Sequence, residues 1–504
     1  MDFSYRESID LRDAPCLSGE SFAAGVQSRI EQGFRVSAFF GLPPGWDAGG
    51  AASCPHAEGV ALAAVLCRGS DGAFCVLRSR PLAAYPSLTP ACAALHWFER
   101  EVHEQWGVIP EGHPWLKPIR FHAPASSPAR RPLPAQTDYF AADGAQVHEV
   151  AVGPVHAGVI EPGHFRFQCL GEEVLHLEIS LGFQHRGIER MLAGGPDART
   201  LHFMENAAGD TSIGHSFAHC ALLEALTRTE PAPRGQMLRR VALELERLAN
   251  HTGDLGALAG DVGFLPTLSY CGRIRGDFLN MTALLCGKRF GRGLLCPGGA
   301  KLDVDEALGA LLLERLAAAW GDARGAVDLS LHSDAVRARY EDCGPVATGL
   351  ARACGLVGVA ARASGLARDA RVQFPVSGAA PDDIPLSKCE SGDVYARAVV
   401  RSRELDSSAA FIRRGVSALP EGPISAPLPA LPLHRMAVGI IEGWRGEICH
   451  VALTDAQGRC AAYKIVDPSF HNWFGLALAL RGQQISDFPL CNKSFNLSYC
   501  GHDL

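Results

Sequence analysis

Between Gly153 and His215 the chain concentrates side chains that can hold or hand over a proton. GPVHAGVIEPGHFRF (Gly153 to Phe167) carries His156, Glu161 and His164, HRGIER (His185 to Arg190) sets an imidazole, two guanidiniums and a carboxylate together, and AGDTSIGH (Ala208 to His215) closes with Asp210 and His215. Imidazoles and carboxylates are the groups of general acid–base catalysis, and glycines among them let backbone approach a ligand closely. Such a mixture in an otherwise apolar, helix-forming chain predicts a buried polar site rather than a plain core.

Metal chemistry is not written locally. The 17 cysteines include no C-x-x-C pair, and the nearest pairs, Cys67 with Cys75 and Cys491 with Cys500, stand eight and nine positions apart. A cluster or nickel site built from adjacent thiolates is therefore not expected, and in a long chain opening MDFSYRESIDLRD, without a signal peptide, the thiols read as reduced. A net charge of -7 with dispersed Lys and Arg sets nucleic acid aside. No apolar run of about 18 residues marks a spanning helix, so membrane association would come through partner subunits. No G-x-G-x-x-G follows a strand and opens a helix, which argues against NADH binding by this chain.

The elements that must position these residues read as α+β. Residues 1–122 form a small α/β domain: Phe34 to Gly41, Gly59 to Arg68 and Ala73 to Arg80 are short apolar runs bounded by Gly, Pro and Asp, hence strands, and Ala91 to Trp106 is a helix with Leu95, Phe98 and Val102 on one face. Residues 123–136, APASSPARRPLPAQ, lack any hydrophobic period and read as a linker. In residues 137–504, Val147 to Ser180 reads as hairpins with a turn at Gly171 and with His156, Glu161 and His164 near a tip. The helix around MLRRVALELERLANH places Leu238, Val241, Leu245 and Leu248 on one stripe and turns Arg239, Glu244 and Glu246 away. Helices are also expected at Glu306 to Leu331 and Thr348 to Leu356, and strands from Gly446 to Asp467 about a turn at Ala456 to Arg459.

Two sets of motifs resemble known families. YPSLT followed by WFEREV, WGV and EGHP is similar to the smaller hydrophilic subunit of respiratory complex I, where the segment docks rather than catalyses. The rest resembles the larger hydrophilic quinone-site subunit of complex I and the large subunit of the energy-converting, formate-hydrogenlyase type [NiFe]-hydrogenases: GPVH with EPGHFRF, HRGIER, PRGQMLRRVALELERLANH, CPGG, GVAARASGLARDAR, GDVYARAVVR, EGWRGE and KIVDPSFHNW follow in that order. Fusion of the two units is itself a feature of the formate-hydrogenlyase type.

The resemblance also implies a departure. Those hydrogenases hold nickel and iron with a C-x-x-C pair before a histidine and a C-terminal D-P-C-x-x-C pair. Here an ungapped count from PRGQM puts the first pair on Ala208 and Thr211, with His215 in the histidine's place, while anchoring on SFAH puts it on Ser212 and His215; the second pattern falls on Asn496 to Gly501. Both thiolates of each pair are lost on either count, so the resemblance implies neither a nickel–iron centre nor hydrogenase activity.

In complex I the same cavity receives a quinone headgroup beside a tyrosine and a histidine, with an aspartate behind the histidine. The resemblance implies His164 as the histidine and Asp261 as the aspartate; the tyrosine has no match, Gly209 or Ile213 standing in its place, and Asp210 or His215 would take its role. It further implies Glu161 as a proton-transferring carboxylate, Arg362 as an arginine at the cofactor wall, and His185, Arg186 and Glu189 as a brace against a small iron–sulfur subunit. The expected cofactors are a quinone in this chain's cavity and an iron–sulfur cluster in a partner, with no metal held by this chain. The expected partners are the small iron–sulfur subunit and integral membrane subunits, and the expected place is the cytoplasmic face of the inner membrane, reached through those partners. Two functions follow: a subunit passing electrons from the partner cluster to a quinone or unidentified acceptor, or a redox-silent platform that docks partners.

Overall fold

The computed structural model describes residues 1–46, 59–125, 137–156, 160–380 and 383–504. The expected linker lies outside the described residues from position 126 onward, as do positions 157–159 of the expected hairpin tip.

Five strands form the N-terminal sheet: β1 Asp2–Ser4, β2 Cys16–Leu17, β3 Arg35–Leu42, β4 Ala61–Arg68 and β5 Ala73–Ser79, in the order β1-β5-β4-β3 with β2 added parallel to β5. The apolar runs put three of these strands where expected, because β3 and β4 are buried almost end to end. Helix α1 (Gly19–Glu31) is capped by Ser18. The short parallel pair β6 (Ala84–Pro86) and β7 (Ile109–Glu111) brackets α2 (His96–Trp106), which ends on left-handed Gly107 after opening through a tight turn at Ala93–Leu95.

The YPSLT and WFEREV residues serve each other. The Glu99 carboxylate accepts hydrogen bonds from the Ser87 and Thr89 hydroxyls (2.7 and 2.6 Å) and from the Leu88 and Thr89 amides (2.8 and 3.0 Å). Glu101, two positions on, is salt-bridged to Arg120 and to Lys464 at 2.5 Å, and Phe98 packs on Phe470 with centroids 4.8 Å apart. This segment is thus packed against the C-terminal part of the same chain, and one hydrophobic core runs from Phe3 to Tyr499.

The larger part begins with an antiparallel sheet of β8 (Val147–Val152), β9 (His164–Leu170) and β10 (Glu173–Ser180), with Gly171 in the left-handed region at the β9–β10 turn. Helices follow: α3 Ile188–Leu192, α4 Thr200–Met204, α5 Ser212–Thr227, α6 Pro233–Asp261 and α7 Leu265–Cys286, then the small ribbon β11 (Leu295–Cys296) and β12 (Gly299–Ala300). Next come α8 Glu306–Leu331, α9 Asp334–Tyr340, α10 Thr348–Ala353, α11 Gly358–Ala363, α12 Ala370–Gln373 and α13 Val394–Ser417. A second antiparallel sheet, β13 (Met436–Glu442), β14 (Glu447–Thr454) and β15 (Cys460–Val466), precedes α14 (Pro468–Ala479), α15 (Phe488–Phe495) and α16 (Tyr499–Asp503).

Two expectations are corrected here. Helix α6 is surrounded, packing against α5, α7, α13 and α15, so Arg239, Glu244 and Glu246 do not face away but are buried and partnered: Arg239 by Glu224 at 2.7 Å, Glu244 by Arg247 at 3.0 Å, Glu246 by the α5 amides. A 3.6-residue apolar stripe locates one buried face and says nothing about whether the others meet solvent. The late sheet also begins earlier than Gly446, since MAVGIIE, buried on both sides between α5 and β14, is β13.

Candidate functional site

A cavity of about 1030 Å³ opens between the β8–β9 loop, one face of α6, Arg275 in the middle of α7, the Arg445 turn and the C-terminal helices. Phe165, Phe167, Phe488 and Leu497 supply an apolar wall. Opposite them, α6 presents Asn250, Asp254 and Asp261, whose spacings of four and seven residues keep them on one helical face. Arg445 is brought in by the tight turn between β13 and β14, with buried Trp444 against its guanidinium.

Asp210, just before α5, is held in a two-pronged pair by Arg445 (2.6 and 2.8 Å), whose guanidinium lies 3.9 Å from the Trp444 ring centre. Burial pushes the Asp210 carboxyl up, but the charge and hydrogen bonds of Arg445 outweigh it and keep the group ionised. Asp254 is fixed by Arg401 (2.9 Å) and by the Asn496 amide (2.6 Å). Asp261 makes no ion pair among the described residues; loss of water at the cavity wall pushes its carboxyl up, against the nearby charge of Lys493. Glu161 is at the cavity, accepting the Cys500 amide at 3.3 Å.

His164 is not at the cavity. Side chains alternate along a strand, and because Phe165 and Phe167 of β9 face the cavity, His164 and Arg166 face away. The His164 ring donates to the Gly153 carbonyl at 3.1 Å and packs against Tyr139. Arg362 is also elsewhere: fully buried, it is salt-bridged to Glu442 (2.6 Å), Glu404 (2.8 Å) and Asp369 (3.6 Å), so it belongs to an ion lattice and not to a cofactor wall. The structure therefore brings Glu161, Asp210 and Asp261 to one cavity and removes His164 and Arg362 from it.

His215 sits one layer behind, sealed in the core of α5. Its Nε2 meets Asp467 at 3.0 Å, its Nδ1 meets His450 Nε2 at 3.1 Å, His450 Nδ1 meets the Tyr463 hydroxyl at 2.9 Å, and that hydroxyl meets His219 Nδ1 at 2.8 Å. Burial raises the Asp467 carboxyl, yet its bond to His215 holds it low and ionised, while burial holds His450 and His219 neutral. An ionised Asp467 can only accept, which assigns the donors in order: His215 to Asp467, His450 to His215, Tyr463 to His450, His219 to Tyr463.

Three cavity groups carried no signal in the motif reading. Tyr499 has a buried hydroxyl that makes no hydrogen bond of good geometry, although the Asn492 amide lies beside it; burial pushes it up to about 12. Arg275 of α7 and Lys493 of α15 reach the cavity without an ion pair among the described residues. The available clue was position, since Tyr499 occupies an unspecified place between the two thiolate positions of the C-terminal pattern. Glu246 lies beside the site too. Its carboxylate accepts the Ile213 and Gly214 amides (2.7 and 3.2 Å) at the start of α5, and burial nevertheless pushes it to about 8.

The donor set does not fit a four-thiolate bimetallic centre. Space for a side chain at Gly501 is taken by the Asp467 carboxylate, where an added Cβ would fall 2.6 Å from its carbon. Ser498 caps α16 by accepting the Gly501 amide at 2.9 Å, Thr211 receives Trp444 and Arg445, and Ser212 donates to the Glu205 carbonyl. Cys491 lies against Gly344 and Arg397, leaving Cys500 alone beside Glu161. Among the described residues no group of three His, Cys, Asp or Glu is arranged to hold a metal ion. The HRGIER residues brace this end of the molecule from within: His185 donates to the Asp503 carbonyl (2.8 Å), Arg186 to Cys500 and Ala207 (both 2.9 Å), and Glu189 accepts the Ile465 amide (2.9 Å).

Comparison with known proteins gives two family matches, the 49-kDa subunit of respiratory-chain NADH dehydrogenase over residues 261–438 and its 30-kDa subunit over residues 73–139. The chain is 29% identical to formate hydrogenlyase subunit 5 of Escherichia coli over 82% of its own length and 76% of the relative's. It is 30% identical to the carbon monoxide-induced hydrogenase of Rhodospirillum rubrum over 69% of this chain and 97% of that protein. It is 27% identical to NADH-quinone oxidoreductase subunit 4 of Thermus thermophilus over 68% and 90%.

Proposed function

We propose, from the premise that this chain belongs to the family of complex I 49-kDa subunits and membrane-bound hydrogenase large subunits, here fused to a 30-kDa-type unit, that it passes electrons from an iron–sulfur cluster in a partner subunit to a quinone or similar acceptor and does not evolve hydrogen. The observation that carries the reading is Tyr499, a buried hydroxyl without a well-formed hydrogen bond at the wall of a cavity of about 1030 Å³. Burying a polar group without a partner costs about 1–3 kcal/mol, a cost that a ligand carbonyl would offset.

Reduction of a quinone to a quinol takes up two electrons and two protons. The electrons come from the partner's cluster. Tyr499 supplies a donor for one carbonyl oxygen, and the Arg445–Asp210 pair and Asp254 hold the polar end in a fixed geometry. Glu246, at about 8, retains a proton at neutral pH directly behind Asp210. The chain from His219 to Asp467 is oriented to deliver a proton: one entering at His219 Nε2 displaces the next along the line until Asp467 is protonated, and no atom other than hydrogen moves. His164 takes no part.

No helix among the described residues is long and apolar enough to cross a membrane. Attachment to the cytoplasmic face through integral membrane partners, with residues 1–122 as the docking unit, 123–136 as linker and 137–504 as the redox unit, is part of the proposal. The competing platform reading draws on the absence of a four-thiolate donor set. Tyr499 without a well-formed hydrogen bond, and Arg275 and Lys493 without an ion pair among the described residues, weigh against it, because a scaffold gains nothing by leaving them so.

The test uses the complex purified anaerobically with its partners. The reduced iron–sulfur signal, followed by electron paramagnetic resonance, is expected to be reoxidised by a short-chain quinone, to persist in Tyr499→Phe, and to respond normally in His164→Ala. A signal indifferent to quinone in the intact complex would overturn the quinone reading, and hydrogen evolution from the purified complex would overturn the other half.

A further inference from the structure

A second cavity, of about 630 Å³, lies between the N-terminal sheet and the α10–α11 region, remote from Tyr499. Four guanidiniums reach it: Arg35 at the start of β3, Arg68 at the end of β4, Arg352 in the last turn of α10, and Arg368 after α11. No carboxylate lines it. Arg68 is neutralised from outside by Asp71 at 2.7 Å, and Arg35 is held from behind by both carboxylate oxygens of Glu447.

Arg352 makes no side-chain hydrogen bond or ion pair among the described residues, and Arg368 has only the Leu356 carbonyl at 2.8 Å. The charges of Arg35 and Arg352 both act on Arg368, and Glu447 is the one carboxylate that opposes them. Burial first, and then the charge of Arg35, push the Arg368 guanidinium down to about 10, against the opposing charge of Glu447. The other ionisable neighbours add nothing: burial holds His471 neutral at about 4 and the Cys67 thiol neutral at about 11. Three guanidiniums around one carboxylate leave two positive charges uncompensated in a concave, partly dry site.

We infer that this cleft binds a doubly charged phosphoryl group. Guanidinium forks match the oxygens of such a group, which neutralises both excess charges at one compact centre, whereas a single carboxylate would leave one unmet. The Gln32 and Gln373 amides and the Ser70 hydroxyl provide neutral polar contacts, and the room beyond one phosphoryl group admits the rest of a phosphate ester. A soluble phosphate ester and a lipid phosphate headgroup share this chemistry. The inference stands apart from the redox reading, since it uses none of the same residues.

The experiment is calorimetric titration of the full chain with inorganic pyrophosphate and, separately, with phosphatidylcholine vesicles with and without phosphatidic acid. Pyrophosphate is expected to bind, with affinity falling as salt rises and at least tenfold lower in Arg352→Gln and in Arg368→Gln. Arg352 is exposed, so its variant folds whatever Arg368 contributes to packing. Binding of pyrophosphate alone assigns a soluble ligand, and binding of acidic vesicles that pyrophosphate competes away assigns a lipid headgroup. No binding of either probe, or binding that Arg352→Gln leaves unchanged, overturns the inference; protection of these arginines only in the assembled complex would then mark the cleft as a contact for an acidic partner.

Discussion

Helix α6 borders two polar regions that differ in one respect. On one face, Glu244, Arg247 and His251 enter a sealed lattice with Arg362, Asp369, Arg371, Glu404 and Glu442, in which Glu404 alone meets His251 (2.7 Å), Arg362 (2.8 Å) and Arg371 (3.0 Å). On the neighbouring face, Asn250, Asp254 and Asp261 border the cavity, where Tyr499, Arg275, Lys493 and Asp261 lack ion pairs among the described residues. Both faces are rich in polar groups. What separates them is ion pairing and access: the guanidiniums and carboxylates of the lattice are ion-paired inside the core, even though His251 Nδ1, Arg362 Nε and Arg371 Nη1 make no hydrogen bond there, whereas the groups beside the cavity stand open to a ligand.

Breaking the lattice should have the largest effect. Arg362→Ala leaves Glu404 and Glu442 short of a cation inside the core and should cost about 3–5 kcal/mol in denaturant unfolding. Arg275→Ala, the same loss of a guanidinium at the cavity, should change stability by no more than about 0.5 kcal/mol. Equal costs would dissolve the distinction between the two regions.

Glu246 sharpens it through pH. Its folded value of about 8 lies above the unfolded carboxylate range, so the folded state binds the extra proton. The stability it contributes is fully present below about pH 4.5 and is lost as pH rises towards about 8, at up to about 1.4 kcal/mol per unit. Glu246→Gln should remove that slope from unfolding curves taken between pH 5 and 8; an unchanged slope would assign the dependence to another group.

Tyr499→Phe should leave unfolding almost unchanged and slow quinone-dependent reoxidation about 100-fold. A large loss of stability with normal reoxidation would place Tyr499 on the structural side. The smaller effect is expected at Gly501. Gly501→Cys must displace Asp467 and should cost about 1–3 kcal/mol, without raising the nickel content measured by elemental analysis. Nickel binding by that single variant would show that the remaining groups can hold the metal without the other three thiolates.

Much of the fold was legible in the chain. Apolar runs located β3, β4 and β5, Gly171 marked its turn, and the Ala-rich segment from Glu306 to Leu331 is helical to the residue. The order of motifs from GPVH to KIVDPSFHNW carried the family. The site was legible in part, because Glu161, Asp210 and Asp261 meet at the cavity, while β9 turned His164 away. Neither α6 nor Arg362 announced its burial, since a charged residue in a helical pattern reads as solvent-facing unless its counter-ions are known, and these lie as far away as Glu404 and Glu442.

The sequence by itself determined element type, the family and the lack of paired thiolates, because periodicity and residue identity are local properties. Only the tertiary structure decided which polar groups are paired. Pairing depends on side chains hundreds of positions apart, such as Arg445 with Asp210 or His215 with Asp467, meeting within about 3 Å, and folding fixed that geometry in setting the Tyr499 hydroxyl at the cavity wall without a well-formed hydrogen bond.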